Sequence, residues 1–382
     1  MQRFPQAIPL EDAARLSGPL SFNVMIKPAG ARCNLSCRYC YYPDKSAGEP
    51  LMSPEVLEKV TRAYIEACDA PEVQFVWHGG EPLTAGLDFF RKAVQFQRLY
   101  ADGKRIRNAL QTNGTLITPE WAHFFGENRF LVGLSLDGPE DLHDRYRRDR
   151  GGKASFHKVM GGLEMLRTRG VEFNTLTTVN RAGEGRGKEV YQFLKDAGSH
   201  FMQFLPVADA GPFDVSARGF GQFMCDVFDE WVREDVGRYY VQLFDSVLSA
   251  WCGRGEGVCT LGRTCSGNAV IEHNGDLYVC DHFVSPEYRL GNVLETPLRE
   301  LMEKEAVKRF AYRKWTGLPL RCLRCPYGPA CNGECPQHRD PGTGENRLCE
   351  GYRLFFDHAA PSFDRMRSLL AQGRAPAEIM NP

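Results

Sequence analysis

The first half of the chain alternates between short apolar segments and amphipathic stretches. Six segments are rich in apolar residues and bounded by Gly, Pro or Asn, which is typical of strands. They span residues 22–27, 73–77, 107–111, 131–136, 172–179 and 201–207. The stretches between them carry helix start signals such as Ser53-Pro54-Glu55 and Thr118-Pro119-Glu120. Strand–helix units in this succession predict an α/β fold with a parallel sheet, and six strands favour a partial (β/α)6 barrel over a closed eight-stranded one.

Polar motifs follow four of the predicted strands. A cysteine triad follows the first strand, and the others are HGGEP at 78–82, QTNG at 111–114 and SLDG at 135–138. The chemistry of β/α barrels lies at the C-terminal ends of the strands. We therefore expect these motifs to meet at one edge of the sheet and to form the active site.

The pattern changes after residue 215, and it predicts five regions. Residues 1–19 form an N-terminal extension, 20–215 the partial barrel and 216–251 a helical bridge. Residues 252–352 are rich in loops and cysteines, and 353–382 predict a C-terminal helix with a frayed tail. The cysteine-rich region has little apolar periodicity, so bound metal is expected to supply much of its folding free energy.

Composition narrows the class of protein. The chain has 382 residues, 43% hydrophobic and 25% charged, with a formal net charge of −1. That balance is ordinary for a soluble domain and argues against a nucleic-acid or membrane-surface partner. The first residues lack the pattern of a secretory signal, and no apolar run is long enough to span a membrane. We therefore expect a cytoplasmic protein, in which 14 cysteines indicate metal or cluster ligation rather than disulfides.

The first cysteine group is Cys33, Cys37 and Cys40, with the spacing C-x3-C-x2-C. Three thiolates on one tight loop can hold three irons of a [4Fe–4S] cluster and leave the fourth iron open for a small molecule. The alternative is a three-cysteine zinc knuckle. Short zinc motifs usually pair C-x2-C elements, and this one does not.

The second cysteine group lies in the last third of the chain. Cys265 is followed by nine residues, Gly275, four residues and Cys280; then come Cys322, Cys325, Cys331, Cys335 and Cys349, and Cys259 precedes them all. Eight cysteines make two sites of four ligands each. Full ligation leaves no open iron, which suits electron transfer. Two structural zinc ions are the alternative, although zinc has no redox chemistry.

The first motif resembles the radical S-adenosylmethionine superfamily, and the second resembles its SPASM extension. The resemblance implies three [4Fe–4S] clusters and S-adenosylmethionine, which is cleaved to a 5′-deoxyadenosyl radical. It assigns auxiliary cluster I to Cys259, Cys265, Cys280 and Cys335. It assigns auxiliary cluster II to Cys322, Cys325, Cys331 and Cys349.

The same resemblance implies a set of cofactor contacts. Gly79, Gly80 and Glu81 of the GGEP segment would meet the methionine amino group, and the main chains of Tyr39 and Ala208 would touch the adenine. Ser135 and Arg147 would contact the ribose and the carboxylate. Each has a plain alternative: Ser135 could simply end a strand, and Arg147 lies in a run of arginines that could be a solvated face.

The whole chain most resembles the anaerobic sulfatase-maturating enzymes, through KPAGARCNLSCRYCYY, WHGGEP, LQTNGTLIT, VGLSLDGP and VCDHFV. These enzymes oxidise a cysteine or serine in an unfolded sulfatase to Cα-formylglycine. The implied partners are a Cys/Ser-x-Pro-x-Arg segment and an electron donor such as flavodoxin or ferredoxin. Asp281 matches the family's proposed base, although an aspartate is a weak base unless burial raises its pKa. Tyr42 and His78 match positions that face the peptide.

Three other functions are open on the sequence alone. One is a SPASM enzyme that installs thioether or carbon–carbon crosslinks in a small ribosomal peptide, although the residues before the first strand are too few for a leader-binding domain. The others are a non-catalytic zinc-rich interaction protein and an iron–sulfur electron carrier. Asp281 could also be only a structural acid beside Asp276, and Cys68, Cys225 and Cys252 receive no role.

Overall fold

A computed structural model describes residues 22–42, 50–255, 257–265 and 267–381. The predicted extension at 1–19 lies outside the described residues. The strands are β1 Asn23–Ile26, β2 Glu72–Trp77, β3 Arg105–Thr112, β4 Phe130–Ser135, β5 Phe173–Val179, β6 Phe201–Pro206, β7 Tyr240–Val241, β8 Asn268–Ile271, β9 Asp276–Tyr278 and β10 Arg289–Asn292. In this part of the chain they form one sheet of ten strands, in the order β10-β9-β8-β1-β2-β3-β4-β5-β6-β7.

Strands β1 to β7 are all parallel and follow the chain order. All six predicted strands are present, and the sheet does not close, as expected for a partial barrel. Their apolar residues alternate, so Val24, Phe75 and Val132 are buried against the surrounding helices. The two-residue strand β7 was not predicted; it extends the barrel within the region expected to be a helical bridge.

The helices that cover the sheet are α1 Pro54–Ala67, α2 Leu87–Tyr100, α3 Pro119–Glu127, α4 Glu140–Tyr146, α5 Phe156–Thr168, α6 Gly187–Asp196, α7 Ala217–Glu234 and α8 Gln242–Trp251. The predicted caps hold α1 and α3: Ser53 Oγ accepts from Val56 N at 3.3 Å, and Thr118 Oγ1 accepts from Trp121 N at 3.4 Å. None of the helices described is both long and apolar enough to cross a bilayer.

The cysteine-rich region adds strands to the barrel sheet, which the sequence did not predict. Strand β8 pairs with β1 in parallel, with Val24 opposite Ala269 and Ile26 opposite Ile271. Strands β9 and β10 continue antiparallel from β8. The cysteine-rich region therefore shares the core of the barrel, because Ala269 and Ile271 join the same hydrophobic core as β1. Strand β1 is thereby the shared strand between the two halves of the molecule.

The remaining helices are α9 Leu298–Glu303, α10 Glu305–Thr316, α11 Leu320–Leu323, α12 Gly328–Cys331 and α13 Cys349–Ala371. Helix α13 begins inside the region predicted to end at residue 352, and it packs along α7 at Gly221 and Gly351. The predicted frayed tail is a further error. The 3-10 turn Pro376–Met380 packs on the core through Ala377, Ile379 and Met380.

Candidate active site

The cysteine triad lies on the loop that follows β1, and the loop after β2 packs directly on it. Gly80 N donates to Gly30 O at 2.8 Å, and Glu81 N donates to Arg32 O at 2.8 Å. A Cβ on Gly80 would lie 2.2 Å from Arg32 O, so only glycine permits this approach. The predicted glycines thus support the cysteine loop from beneath.

Asn113, from the QTNG motif, contacts the same loop. Its Nδ2 lies 3.7 Å from Cys33 Sγ and donates to Asn34 Oδ1 at 2.8 Å. Amide donors near a thiolate orient it and stabilise its charge. The sequence placed this motif at a strand end but did not assign Asn113 a role.

Glu81 is fully buried beneath the cysteine loop. Its carboxylate accepts from Leu83 N at 3.0 Å, Thr112 Oγ1 at 2.9 Å and Asn113 N at 2.7 Å. Burial raises the pKa of Glu81 to about 7, and these donors oppose that rise. The side chain predicted to meet the methionine amino group therefore ties together the loops after β2 and β3.

Arg147 and Tyr39 meet at Asp137, a residue that the sequence analysis did not single out. Arg147 Nε donates to Asp137 Oδ2 at 2.9 Å, and Tyr39 Oη donates to the same oxygen. Arg147 is only 8% exposed, which contradicts the alternative that it belongs to a solvated face. Burial opposes the charge on Arg147, but Asp137 and Tyr39 raise its pKa above the usual value. A buried cation therefore stands at the end of β4.

Ser135 and Ala208 lie at neighbouring strand ends. Ser135 Oγ accepts from Gln111 Nε2 at 2.9 Å, so it is fixed by the adjacent strand. Ala208 is buried just after β6, and its carbonyl accepts from Arg347 Nη1 at 3.1 Å. Arg347 precedes α13, so the cysteine-rich region contacts the barrel at the predicted adenine position.

The cysteines of the last third fall into two groups. In the first group, burial raises the pKa of the Cys280 thiol to about 12, and Asp281, Cys259 and Cys265 add to the rise. Burial, Glu334, Cys280 and Cys265 likewise raise the pKa of Cys335. The charges on these four thiols influence one another, and the four are the set that the family resemblance assigns to auxiliary cluster I.

The second group lines one cavity of about 330 Å³ between α11, α12 and the start of α13. Its cysteines are Cys322, Cys325, Cys331 and Cys349. Burial raises the pKa of Cys331 to about 12 and that of Cys322 to about 11. Four thiols around a space of this size are a ligand set that fits an iron–sulfur cluster.

Asp281 follows Cys280 and lies at the carboxyl end of β1. Lys27 Nζ is 2.5 Å from Asp281 Oδ1, and Tyr41 Oη donates to Asp281 Oδ2 at 2.8 Å. Burial alone would raise the pKa of Asp281, but Lys27 and His78 lower it to about 2. The requirement that burial raise this pKa is therefore not met, and Asp281 is held as a carboxylate.

The two residues predicted to face a peptide lie beside this carboxylate. The Tyr42 ring centroid is 4.8 Å from Lys27 Nζ. Burial lowers the pKa of His78, and no hydrogen-bond partner reaches its buried Nδ1 among the residues described. An unsatisfied polar atom at this position fits a site that binds a polar group of a substrate. Lys27 was missed; its signal was a charged residue directly after an apolar strand.

Comparison with known proteins identifies the family. Residues 28–196 match the sequence model of the Radical SAM superfamily, and residues 259–326 match SPASM, an iron–sulfur cluster-binding domain. A serine-type anaerobic sulfatase-maturating enzyme from Bacteroides thetaiotaomicron is 44% identical over 94% of this chain and 94% of its own length. The chain belongs to the anaerobic sulfatase-maturating enzymes. A cysteine-type anaerobic sulfatase-maturating enzyme from Clostridium novyi is 34% identical over 88% of this chain and 95% of its own.

Solved structures of this sulfatase-maturating family share the fold. Native anSMEcpe with bound AdoMet superposes with a TM-score of 0.86 at 32% identity, covering 91% of this chain and 99% of that one. These matches confirm the predicted fold class, the radical enzyme class and the cofactors, S-adenosylmethionine and three [4Fe–4S] clusters. They decide against a zinc-rich interaction protein and a simple electron carrier.

Proposed function

We propose that this enzyme oxidises a serine in an unfolded sulfatase, within a Ser-x-Pro-x-Arg segment, to Cα-formylglycine. The observation that carries the proposal is the carboxylate of Asp281 at the carboxyl end of β1, beside Tyr42 and His78. Serine rather than cysteine is favoured because the serine-type relative from Bacteroides thetaiotaomicron is 44% identical and the cysteine-type relative from Clostridium novyi is 34% identical.

The conversion removes one hydrogen atom, one proton and one electron from the CH₂OH group of the target. Cys33, Cys37 and Cys40 would hold the cluster with which S-adenosylmethionine would supply a radical for the Cβ hydrogen atom, and Cys259, Cys265, Cys280 and Cys335 would hold the cluster that would supply an acceptor for the electron. Asp281 is proposed to accept the hydroxyl proton because of its position: it is the ionised carboxylate among the residues proposed to face the peptide, although Lys27 keeps its pKa low. His78 Nδ1 provides an unoccupied polar atom for the peptide or the target side chain.

The other predicted residues bind and orient the cofactors in this proposal. Cys33, Cys37 and Cys40 hold the first cluster, and Gly79 and Gly80 let the main chain approach the methionine end of the cofactor. Arg147, kept charged by Asp137, faces the methionine carboxylate. Ser135 and the main chains of Tyr39 and Ala208 bind the ribose and adenine, while Glu81 acts by supporting both loops.

The remaining proposals concern partners and place. The proposed substrate is an extended polypeptide rather than a folded sulfatase domain, because the target serine has to reach residues buried at the carboxyl ends of the strands. A small one-electron protein such as flavodoxin or ferredoxin supplies the reducing electron. We propose a cytoplasmic location, where thiols stay reduced and the sulfatase chain is still unfolded.

An anaerobic assay tests the proposal. The reconstituted, reduced protein receives S-adenosylmethionine and one of two peptides that differ only in carrying Ser-x-Pro-x-Arg or Cys-x-Pro-x-Arg. Mass spectrometry follows the peptide and 5′-deoxyadenosine. We expect formylglycine from the serine peptide, and its loss when Cys33, Cys37 and Cys40 are all replaced by alanine. Deoxyadenosine without any change in either peptide would refute the sulfatase assignment and favour a peptide-crosslinking substrate.

A further inference from the structure

Lys27 is a fully buried lysine that the established family motifs leave without a role here. It follows β1, its side chain is 0% exposed, and its Nζ lies 2.5 Å from Asp281 Oδ1 and 3.2 Å from Glu272 Oε1. A buried ammonium group is strongly unfavourable unless it is paired. Both of its acidic partners come from the cysteine-rich region, so Lys27 reaches from the barrel to the proposed base.

The pairing fixes the direction of the Asp281 carboxylate. Lys27 Nζ forms an ion pair with Oδ1, and Tyr41 Oη donates to Oδ2 at 2.8 Å. The two oxygens therefore have different partners, one before the cysteine triad in the chain and one after it. The backbone adds a third connection, because Lys27 N donates to Ile271 O at 2.9 Å. A carboxylate held at both oxygens cannot rotate about its Cβ–Cγ bond without losing a charge-assisted contact.

We propose that Lys27 is a positioning residue for the oxidation: it orients the Asp281 carboxylate toward the target hydroxyl without touching the substrate. This inference rests on the proposed function. Glu272 Oε1 lies 3.2 Å from the same Nζ, so the single ammonium charge is shared between the two acids. Tyr41 acts in the same way from the other oxygen. A lysine that only joined the two halves of the molecule would stabilise the fold. It would not change the fraction of 5′-deoxyadenosyl radicals that lead to formylglycine.

The fraction of radicals that lead to product can be measured directly. In the anaerobic serine-peptide assay, the ratio of 5′-deoxyadenosine to formylglycine reports how often the radical is formed without product. Lys27→Met should lower formylglycine formation about 100-fold, in the range of a lost general base, while deoxyadenosine formation falls only a few-fold, so the ratio rises. Lys27→Arg keeps the charge and should restore part of the product. Tyr41→Phe, at an exposed residue, should raise the ratio by a smaller factor.

A matched control separates this effect from loss of stability. Lys195 forms a second, largely buried lysine–aspartate pair: its side chain is 12% exposed and its Nζ lies 2.8 Å from Asp235 Oδ2. It lies in the last turn of α6, which leads into the amino-terminal end of β6, whereas the active site lies at the carboxyl ends of the strands. Lys195→Met should lower thermal stability and leave the ratio at the wild-type value. Iron content is measured for every variant. In an Asp281→Asn background, Lys27→Met should change product formation by less than about threefold, because no carboxylate remains to be oriented.

Three results would overturn the inference while the proposed function stands. The first is a ratio of 5′-deoxyadenosine to formylglycine that stays at the wild-type value in Lys27→Met, and the second is the same result in Tyr41→Phe. The third is a double variant, Lys27→Met with Asp281→Asn, in which the loss of formylglycine equals the product of the two single losses. Should Lys27→Met fail to fold, Tyr41→Phe still decides, because an unchanged ratio in that variant overturns the inference by itself. A wild type that makes no formylglycine from either peptide would instead refute the proposed function itself.

Discussion

At the scale of single residues, burial and nearby charges decide the protonation states in this site, and His143 provides a measurable case. His143 is fully buried; its Nδ1 accepts from Asp137 N at 3.4 Å, and its Nε2 is 3.1 Å from Ser155 Oγ. Ser155 Oγ in turn donates to Arg147 O at 2.8 Å. The neutral ring therefore fixes both ends of the Asp137–Arg147 pair, and a second ring proton would face a backbone N–H.

The pH dependence of stability follows from that environment. Burial lowers the pKa of His143 from 6.5 to about 4 in the folded protein. The unfolded chain binds the proton first as pH falls, so stability is full above the unfolded pKa and is lost as pH falls toward 4. Between about pH 7.5 and about pH 5.5 the free energy of unfolding should drop by about 1 kcal/mol more in wild type than in His143→Gln. Denaturant unfolding at both pH values measures this difference.

An exposed histidine supplies the control. His123 lies on the outer face of α3, with its side chain 59% exposed. His123→Gln should keep the wild-type loss of stability between the two pH values. If His143→Gln kept it as well, the buried neutral histidine would not be its source.

The residues that sequence could predict are those whose chemistry is carried by a local motif. The cysteine spacings and the GGEP glycines were singled out in this way, and Arg147 was singled out by the family resemblance. The pairing of Lys27 with Asp281 was not, because the two residues are brought together only by β1 and β8. For the same reason the sequence analysis considered only burial, which would raise the pKa of Asp281, and did not foresee that Lys27 lowers it.

At the scale of secondary-structure elements, the contact between α7 and α13 depends on two glycines. A Cβ on Gly351 would lie 1.9 Å from Ala217 O, and one on Gly221 would lie 2.5 Å from Gly351 O. Neither backbone atom can move away as a flexible side chain could. Gly351→Ala should therefore lower the free energy of unfolding by about 2 kcal/mol, as expected for overpacking a tight contact. Thermal and denaturant unfolding both measure the change.

A glycine in another helix should respond with the opposite sign. Gly161 lies in α5, and a Cβ there would meet no atom within 4 Å. Gly161→Ala should raise stability by up to about 1 kcal/mol through helix propensity alone. Equal effects of the two substitutions would show that the α7–α13 contact is not the cause.

Element prediction succeeded where a segment had length and periodicity of its own. The six barrel strands have four to eight residues, and the caps of α1 and α3 were visible as Ser-Pro-Glu and Thr-Pro-Glu. Strand β7 has two residues and β9 has three, so neither carries a pattern. Those strands exist because neighbouring strands supply their hydrogen bonds, which a sequence window does not contain.

At the scale of the whole molecule, the ligand sets proposed for the two auxiliary clusters interlock along the chain. Cys335 is grouped with Cys280 and Cys265, although the cysteines that precede it in sequence line the other cavity. Cys335→Ala should therefore remove about four irons per chain, the content of one cluster. Adding Cys280→Ala should remove no more, whereas adding Cys325→Ala should remove about four more. Iron and sulfide analysis of the anaerobically reconstituted variants gives these counts.

The opposite result would reassign the ligands. Suppose that the double variant Cys335→Ala, Cys325→Ala lost only one cluster and that Cys335→Ala, Cys280→Ala lost two. Cys335 would then be a ligand of the same cluster as Cys325, and not of the cluster bound by Cys280. The wild type and Cys252→Ala, which replaces a cysteine outside both groups, serve as references for full iron content.

The place of β1 in the sheet also governs how the chain must be made. A ribosome releases β1 and β2 early, but the other neighbour of β1 is β8, which begins at Asn268. Until that segment emerges, one edge of an apolar strand has open hydrogen-bonding groups, and such an edge is a template for association with other chains. The half that carries the radical motifs is consequently not a free-standing unit: cut off before β8, it would keep every cysteine of the first cluster and yet present this edge to its neighbours.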